Sequence, residues 1–375
     1  MKTASSWRWR GSVAMLAVAL GFVVYPLVES GDSVINSDWP AFATGGRLVV
    51  DDPGHLYDLG VQRAVERDVT GGKTLVTLGI QGILPFLAPA WVALVAAPFE
   101  ALGTTAGGRL WILFGLACLG LGLYLAARPR APAAILPAFA SVPTALLLLN
   151  AQLDGMVALG IGAAIALWSR PYLAGLALGL TLMKPQLVLP AGAALLLARR
   201  WKVLAGWAAV GVALCAVTLA LNPRWILQWL GAAGTTVQPG AREVDLGHLG
   251  TLMPLGARAV TAAALTALAL AAVVYLAWRV RDDLRSAAAV LVAGGVLASP
   301  HSLPTDMVMV AVALMVYPHP RWYDWLVLSI GTAAAAVTPA PVPALVGLLV
   351  IGWVCLRAAG LLTSRQPAPA VSTAR

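Results

Sequence analysis

Apolar segments recur along almost the whole chain, and this pattern decides the class of fold. They lie near residues 11–28, 110–127, 133–149, 155–168, 203–221, 259–278, 286–298, 306–317, 323–338 and 342–359. Because a full crossing needs about 20 apolar residues, several of them are short for a complete span. Hydrophobic residues make up 60% of the chain and charged residues 11%, against about 25% charged in soluble domains. The sequence therefore predicts an all-α polytopic membrane protein with roughly 10–12 transmembrane or re-entrant helices.

The apolar segments form one integral domain, predicted over residues 1–360, with two long polar interruptions. The first outer loop is predicted at 29–74 and the second at 222–258, and residues 361–375 are expected to be a disordered cytoplasmic tail. The basic leader "MKTASSWRWR" is not followed by a small-x-small cleavage site, so the first helix is expected to be retained. The three cysteines lie far apart within apolar runs, which favours core packing over a disulfide or zinc site.

The distribution of charge predicts the orientation of the chain. The formal net charge is +9, but the cations lie between apolar segments rather than in one patch, which argues against a nucleic-acid partner. Placing the short basic loops in the cytoplasm collects most of the 25 lysines and arginines and only Asp282, Asp283 and Asp324 among the 16 acids. We therefore expect a multi-pass protein of the inner (plasma) membrane with both termini in the cytoplasm.

A lysine lies inside the apolar run "GLTLMKPQLVLPAG". Between the basic loops near 170 and 199 the chain has arms of about 12 residues, which rise about 18 Å and cannot cross a core of about 30 Å. The sequence therefore predicts a broken or re-entrant hairpin with "KPQ" at its tip, interrupted by Pro185. An ionisable residue at that depth indicates function, with a structural ion pair for Lys184 as the alternative.

Polar residues from separate segments are expected to meet Lys184 on the outer side. Asp38 follows the first helix closely enough to be held at the membrane surface, which suits a general base. The groups predicted to line this cavity are Asp38, Asn150, Gln152, Asp154, Lys184, Gln186, His301 and Asp306. In the second outer loop, Trp225, Ile226, Trp229 and Leu230 predict one face of an interfacial amphipathic helix.

Three other interpretations remain open from these residues. Asp38 with Asp306 would suit a retaining pair of carboxylates, although no spacing identifies one. A polytopic transporter or flippase also uses broken helices and buried charges, and a non-catalytic assembly subunit would not need Asp38. The acids and histidine of "DDPGHLYD" are interpreted as a polar turn, so no metal and no cofactor is predicted.

Four motifs, in this order, resemble glycosyltransferase family 87, the polyprenyl-phosphate-mannose-dependent mannosyltransferases of the GT-C membrane fold. They are "SDWPAFATGGRLVVDDPGHLYD", "NAQLDG", "LTLMKPQLVLPAGAALLLARRW" and "ASPHSLPTDMVMV". The resemblance implies a GT-C-like helical bundle whose outer loops carry short amphipathic helices. It also implies a polyprenyl-phosphate sugar as donor and a lipid or glycan as acceptor.

The resemblance assigns roles to particular residues. Asp38 would be the base that deprotonates an acceptor hydroxyl, Lys184 and Gln186 would meet the donor phosphate, and His301 would lie near the site. The first-loop motif adds Arg47 and Tyr57 as further cavity candidates. The second outer loop shows no pattern that matches the family, so the acceptor is not predicted.

Overall fold

A computed structural model describes residues 2–73, 84–130, 132–235 and 242–362, with the side chains of residues 2–8 and 233–235 excluded. The α-helices of this part, in chain order, are α1 (Lys2–Val28), α2 (Gly31–Ile35), α3 (Trp39–Asp51), α4 (Leu59–Val69), α5 (Ala90–Glu100), α6 (Thr104–Ala127), α7 (Leu136–Phe139), α8 (Val142–Leu149), α9 (Asp154–Ala166), α10 (Pro171–Leu178), α11 (Leu189–Leu197), α12 (Trp201–Leu221), α13 (Trp225–Thr235), α14 (Arg258–Arg279), α15 (Leu284–Leu297), α16 (Val308–Val316), α17 (Trp322–Val337) and α18 (Val342–Ala358). Short 3₁₀ helices lie at Pro53–His55, Pro132–Ile135, Gly179–Met183, Pro185–Val188, Gly247–Leu252, Leu255–Ala257 and Pro304–Met307.

The predicted all-α membrane architecture is confirmed, and these described residues contain no β-strand. In the part of the chain that the structure describes, four helical segments are long and apolar enough to cross a membrane: Trp9–Val28, Thr104–Ala127, Trp201–Leu221 and Leu255–Arg279. A further pair, Pro132–Phe139 and Val142–Leu149, is bent by 68° at its break. The shorter apolar helices, taken together with the 3₁₀ helices that adjoin them, are 10–17 residues long. The expected tail lies almost entirely outside the described residues.

The centre of the bundle is formed by α6, α9, α15 and α16. Helices α6 and α9 run side by side so closely that a Cβ on Gly155 would lie 2.1 Å from the carbonyl oxygen of Gly115, and one on Gly162 would lie 2.1 Å from that of Gly122. Small residues allow such backbone contact between membrane helices. Helix α16 is buried along its whole length, so it forms the middle of the apolar core.

The segment around Lys184 has the geometry of a re-entrant hairpin. Its first arm runs parallel to α12, because Gly175 lies against Val203 and Gly179 lies against Val210. The return arm passes α12 in the opposite sense, with Gly192 against Trp207. Both ends of the hairpin therefore lie beside the N-terminal end of α12. The tip reaches Gly211, which lies in the middle of that helix and contacts Leu182 of the hairpin.

The first outer loop folds into α2, α3 and α4, and α3 packs along α5. The second contains α13, the helix expected there. Trp225 is buried and Trp229 donates from Nε1 to the carbonyl of Leu87 at 2.7 Å. Leu230, which is expected on the same face, is 56% exposed, and Leu227 is 75% exposed. Trp229 therefore holds α13 against the protein by a hydrogen bond, and Trp225 does so by packing, with its ring 5.3 Å from that of Trp91.

Candidate active site

Asp38 lies where α2 gives way to α3, and its backbone is held from both sides. Its N–H donates to the carbonyl of Asn150 at 3.3 Å, and its own carbonyl accepts from the N–H of Phe42 at 3.3 Å. The adjacent Trp39 is fully buried and donates from Nε1 to the carbonyl of Thr104 at 2.8 Å. Asp38 is therefore fixed by rigid neighbours rather than placed at the tip of a loose loop.

The ammonium group of Lys184 lies at the centre of a polar cluster inside the bundle. Nζ donates to Gln152 Oε1 at 2.8 Å, to Asp154 Oδ2 at 2.8 Å and to Asp306 Oδ1 at 2.6 Å. Only 13% of the Lys184 side chain is exposed. An ammonium group has three N–H donors, so all of them are occupied in this structure.

Gln152 connects Lys184 to Asp38. Its Oε1 accepts from Lys184 and its Nε2 donates to Asp38 Oδ2. The turn before it contains Ala151 with φ of 51°, a left-handed conformation that is uncommon for a residue with a Cβ. The carbonyl of Ala151 accepts from Trp111 Nε1 at 2.8 Å, which secures the turn. This arrangement aims the Gln152 amide at both partners.

Asp154 and Asp306 differ in their surroundings although both contact Lys184. Asp154 is completely buried, and its Oδ1 has no hydrogen-bond partner within the described part of the chain. Asp306 Oδ2 accepts from the N–H of Leu303 at 2.6 Å, at the start of the 3₁₀ helix Pro304–Met307. With Asp38, three carboxyl groups surround one ammonium group, so the cluster has more acid than base.

The electrostatic environment of Asp38 suits a base that works near neutral pH. Burial raises its pKa to about 6, the nearby Lys184 opposes that rise and Asp306 adds to it. Asp38 precedes α3 and lies outside the candidate spans. A carboxylate that is deprotonated at neutral pH but more basic than usual is what general-base catalysis requires.

His301 lies beside this cluster and is attached to the second outer loop. Its Nδ1 lies 3.0 Å from Glu243 Oε1, and Glu243 Oε2 lies 3.3 Å from His248 Nδ1. Asp245 accepts from the backbone N–H of His248 at 2.9 Å and of Ser302 at 3.1 Å. Glu243, Asp245 and His248 were not predicted as site residues, although "REVDLGH" places acids and a histidine together in a polar loop.

The structure thus brings together Asp38, Gln152, Asp154, Lys184 and Asp306, with His301 adjacent. Asn150 contributes mainly its backbone, since its side chain returns to the carbonyl of Leu146 at 2.9 Å. Gln186 lies two residues beyond Lys184 in the 3₁₀ helix Pro185–Val188, and its side chain is partly buried.

Arg47 and Tyr57 do not join this cluster. Arg47 pairs with Asp68, and its Nε donates to Glu100 Oε1 at 2.7 Å, which ties α3 to α4 and α5. Tyr57 is buried and donates to the carbonyl of Ala88 at 2.8 Å. These contacts hold the first outer loop against α5 and the segment before it, and they direct both side chains away from the Lys184 cluster.

A sequence model of glycosyltransferase family 87 matches residues 86–300, more than half of the chain. The chain belongs to glycosyltransferase family 87. Membership makes this protein a membrane glycosyltransferase, as the sequence motifs predicted. No curated protein and no solved structure gives a significant match.

The family 87 match contains the hairpin with Lys184 and Gln186 and the turn with Gln152 and Asp154. Asp38, His301 and Asp306 lie outside the matched residues. Asp38 and Asp306 are connected to the matched part by the hydrogen bonds of Gln152 and Lys184 described above. The cluster therefore combines residues inside the matched region with one residue before it and one after it.

Proposed function

We propose that this protein transfers a hexose, with mannose as the first candidate, from a polyprenyl-phosphate carrier to a lipid-linked or glycan acceptor. The reaction would take place on the extracytoplasmic side of the plasma membrane, with both termini in the cytoplasm. The observation that carries the proposal is the continuous chain of contacts from Asp38 through Gln152 to Lys184. It places a candidate base and a cation in one polar cluster of a family 87 glycosyltransferase.

Asp38 is the proposed general base. Gln152 occupies its Oδ2, so Oδ1 is the oxygen left to take the proton of an acceptor hydroxyl. As that O–H bond breaks, the acceptor oxygen bonds to the anomeric carbon of the sugar. The bond from that carbon to the phosphate oxygen breaks, the phosphate leaves with the electron pair, and the anomeric configuration inverts. A phosphate leaving group needs little acid assistance, so one base suffices.

Lys184 is the proposed cation for the donor phosphate, and Gln186 is its proposed neighbour. Because all three ammonium protons are already donated, a phosphate oxygen would have to replace Gln152, Asp154 or Asp306 as one of the acceptors. The phosphate and the displaced carboxylate would repel each other unless that carboxyl group were protonated or moved away. A charge-assisted bond formed in a water-poor site stabilises a leaving phosphate strongly.

The test uses purified protein and a polyprenyl-phosphate mannose donor, with acceptor lipids analysed by mass spectrometry. We expect Asp38→Asn to abolish transfer while donor binding is retained. Asp51→Asn is the matched control, because Asp51 is an exposed acid at the other end of α3. Wild-type turnover in Asp38→Asn would reject Asp38 as the base.

The same assay tests the sugar and the carrier separately. Donors that carry glucose or galactose on the same polyprenyl phosphate address the sugar, and a nucleotide-linked mannose addresses the carrier. We expect transfer from the polyprenyl donor and none from the nucleotide donor. Transfer from the nucleotide donor alone would contradict the proposed donor class and leave family membership unaffected.

A further inference from the structure

Glu243 lies between two histidines at the edge of the candidate active site. Its carboxylate oxygens lie 3.0 Å from His301 Nδ1 and 3.3 Å from His248 Nδ1. Its side chain is 19% exposed, so it is largely removed from solvent. A carboxylate in this position is held by both outer elements, the second loop and the segment that leads to Asp306.

The backbone around Glu243 is anchored to that segment. The N–H of Val244 donates to the carbonyl of Ser302 at 2.9 Å, and that of Leu246 donates to Leu297 at 3.0 Å. A Cβ on Gly347 of α18 would lie 2.1 Å from the carbonyl oxygen of Val244, so this helix supports the loop from the other side. Glu243 is therefore presented to His301 from a fixed backbone.

The two histidines are not equivalent. The His248 side chain is 11% exposed, and its Nε2 is buried without a partner among the described residues. The hydrogen bond to Glu243 raises the pKa of His248. His301 is 52% exposed. Burial lowers the pKa of His301, but the hydrogen bond and charge of Glu243 outweigh it and the net direction is upward. The hydrogen bonds from both histidines hold the pKa of Glu243 down to about 2, against the effect of burial.

The charges of the main cluster explain why a second cation is needed. Lys184 has no free N–H donor, and Asp38, Asp154 and Asp306 outnumber it. A donor phosphate that approaches this cluster would meet excess negative charge unless another positive group faced it. His301 is close enough to Asp306 for their charges to interact.

We propose that Glu243 is a positioning residue. It accepts a hydrogen bond from Nδ1 of the charged His301 ring, so that the Nε2–H of His301 is left to bind a phosphate oxygen of the donor. The inference rests on the proposed function for its ligand, but the state of His301 can be tested without turnover. The charged groups that face His301 are Glu243 and Asp245 of the second loop, His248 of the Gly247–Leu252 helix, and Asp306 of the Pro304–Met307 helix.

The first test is direct observation of the histidines by NMR. The chain has only four histidines, so protein labelled with ¹³C and ¹⁵N histidine gives few signals, and His301→Gln assigns the relevant one. We expect the His301 signal to report Nδ1 as protonated and to titrate at lower pH in Glu243→Gln than in the wild type.

Asp52→Asn is the matched control for this titration. Asp52 lies 2.9 Å from Nδ1 of the exposed His55, so the same kind of pair exists elsewhere on the outer surface. We expect Asp52→Asn to shift the His55 titration and to leave His301 unchanged. An unmoved His301 titration in Glu243→Gln would overturn the proposal, as would a wild-type His301 with an unprotonated Nδ1, which needs no variant.

The second test addresses the ligand with farnesyl phosphate as the probe. In the wild type we expect the probe to shift the His301 signal, and in Glu243→Gln we expect at least a tenfold higher probe concentration for the same shift. Equal binding by both proteins would overturn the proposal. Where turnover is measurable, Glu243→Gln should raise donor KM and move the alkaline limb of the pH profile to lower pH, and Glu243→Asp should restore part of both.

The two tests separate failure of this inference from failure of the proposed function. A wild-type protein without glycosyl transfer, but with a His301 titration that depends on Glu243 and a probe-induced shift, would contradict the reaction and support the positioning role. Normal glycosyl transfer by the wild type, with an unchanged His301 titration in Glu243→Gln, would support the reaction and contradict the positioning role.

Discussion

Replacing Lys184 by alanine should destabilise the protein, because Lys184 is the centre of the buried polar cluster. The variant leaves the acceptor atoms of Gln152, Asp154 and Asp306 without the ammonium group that they share. The side chains involved are 13% exposed for Lys184, 0% for Asp154 and 6% for Asp306. Removing one partner of a buried ion pair costs about 3–5 kcal/mol, since the remaining charge is uncompensated.

That magnitude is a large fraction of the 5–15 kcal/mol by which proteins are typically stable. The assay is thermal unfolding in detergent at neutral pH, followed by tryptophan fluorescence. Lys73→Ala is the matched control, because Lys73 pairs with Asp32 at the exposed surface and should contribute about 0.5 kcal/mol or less. The double variant Lys184→Met with Asp306→Asn should recover part of the loss, because it also removes one of the stranded acids.

A Lys184→Ala protein as stable as the Lys73→Ala control would refute this reasoning. It would mean that the acids do not depend on the ammonium group, and that Lys184 is available to a ligand in full. Activity measurements alone would not make this distinction, since a phosphate contact and a structural centre are both lost in the alanine variant.

The rate of the wild type should fall as pH drops below about 6, because the pKa of Asp38 is raised to about 6 and protonation removes the base; a rate independent of pH between 5 and 8 would contradict this assignment. Gly295→Ala should lower the unfolding temperature and the rate, because a Cβ there would lie 1.9 Å from the carbonyl oxygen of Leu187, just after the hairpin tip; Gly352→Ala, with open space around it, is the control. Burial raises the pKa of Glu66 to about 7, so its contribution to stability is present at low pH and is lost as pH rises toward that value. Glu66→Gln should therefore raise the unfolding temperature at pH 8 more than at pH 5. Equal changes in unfolding temperature at the two pH values would contradict this expectation.

Much of the fold could be predicted because long apolar segments of a sequence predict membrane helices. Every apolar segment identified in the sequence falls on a helix or on the bent pair before Asn150. The hairpin was also predictable, because arm length and Pro185 together limit what residues 172–198 can do. Asp38 and Lys184 stood out because polar residues next to apolar runs need partners.

The contacts that assemble the cluster could not be predicted in the same way. Gln152 bridges Asp38 and Lys184 only because the turn at Ala151 adopts a left-handed conformation, which its sequence does not require. Arg47 was expected in the cavity, but its acids come from positions 68 and 100, and only the packing of three helices brings them together. Glu243 and His301 are likewise joined by tertiary packing alone.

Both ends of the hairpin lie beside the N-terminal end of α12, so a change at its tip does not alter the topology of the rest of the chain. One residue added to the α-helical part of the first arm would turn the ammonium group by about 100° around the helix axis and away from its acids. The chain would still emerge beside the start of α12, so the compartment reached by each later loop would be unchanged. Variation in the arms can therefore alter or abolish reactivity without inverting the protein in its membrane.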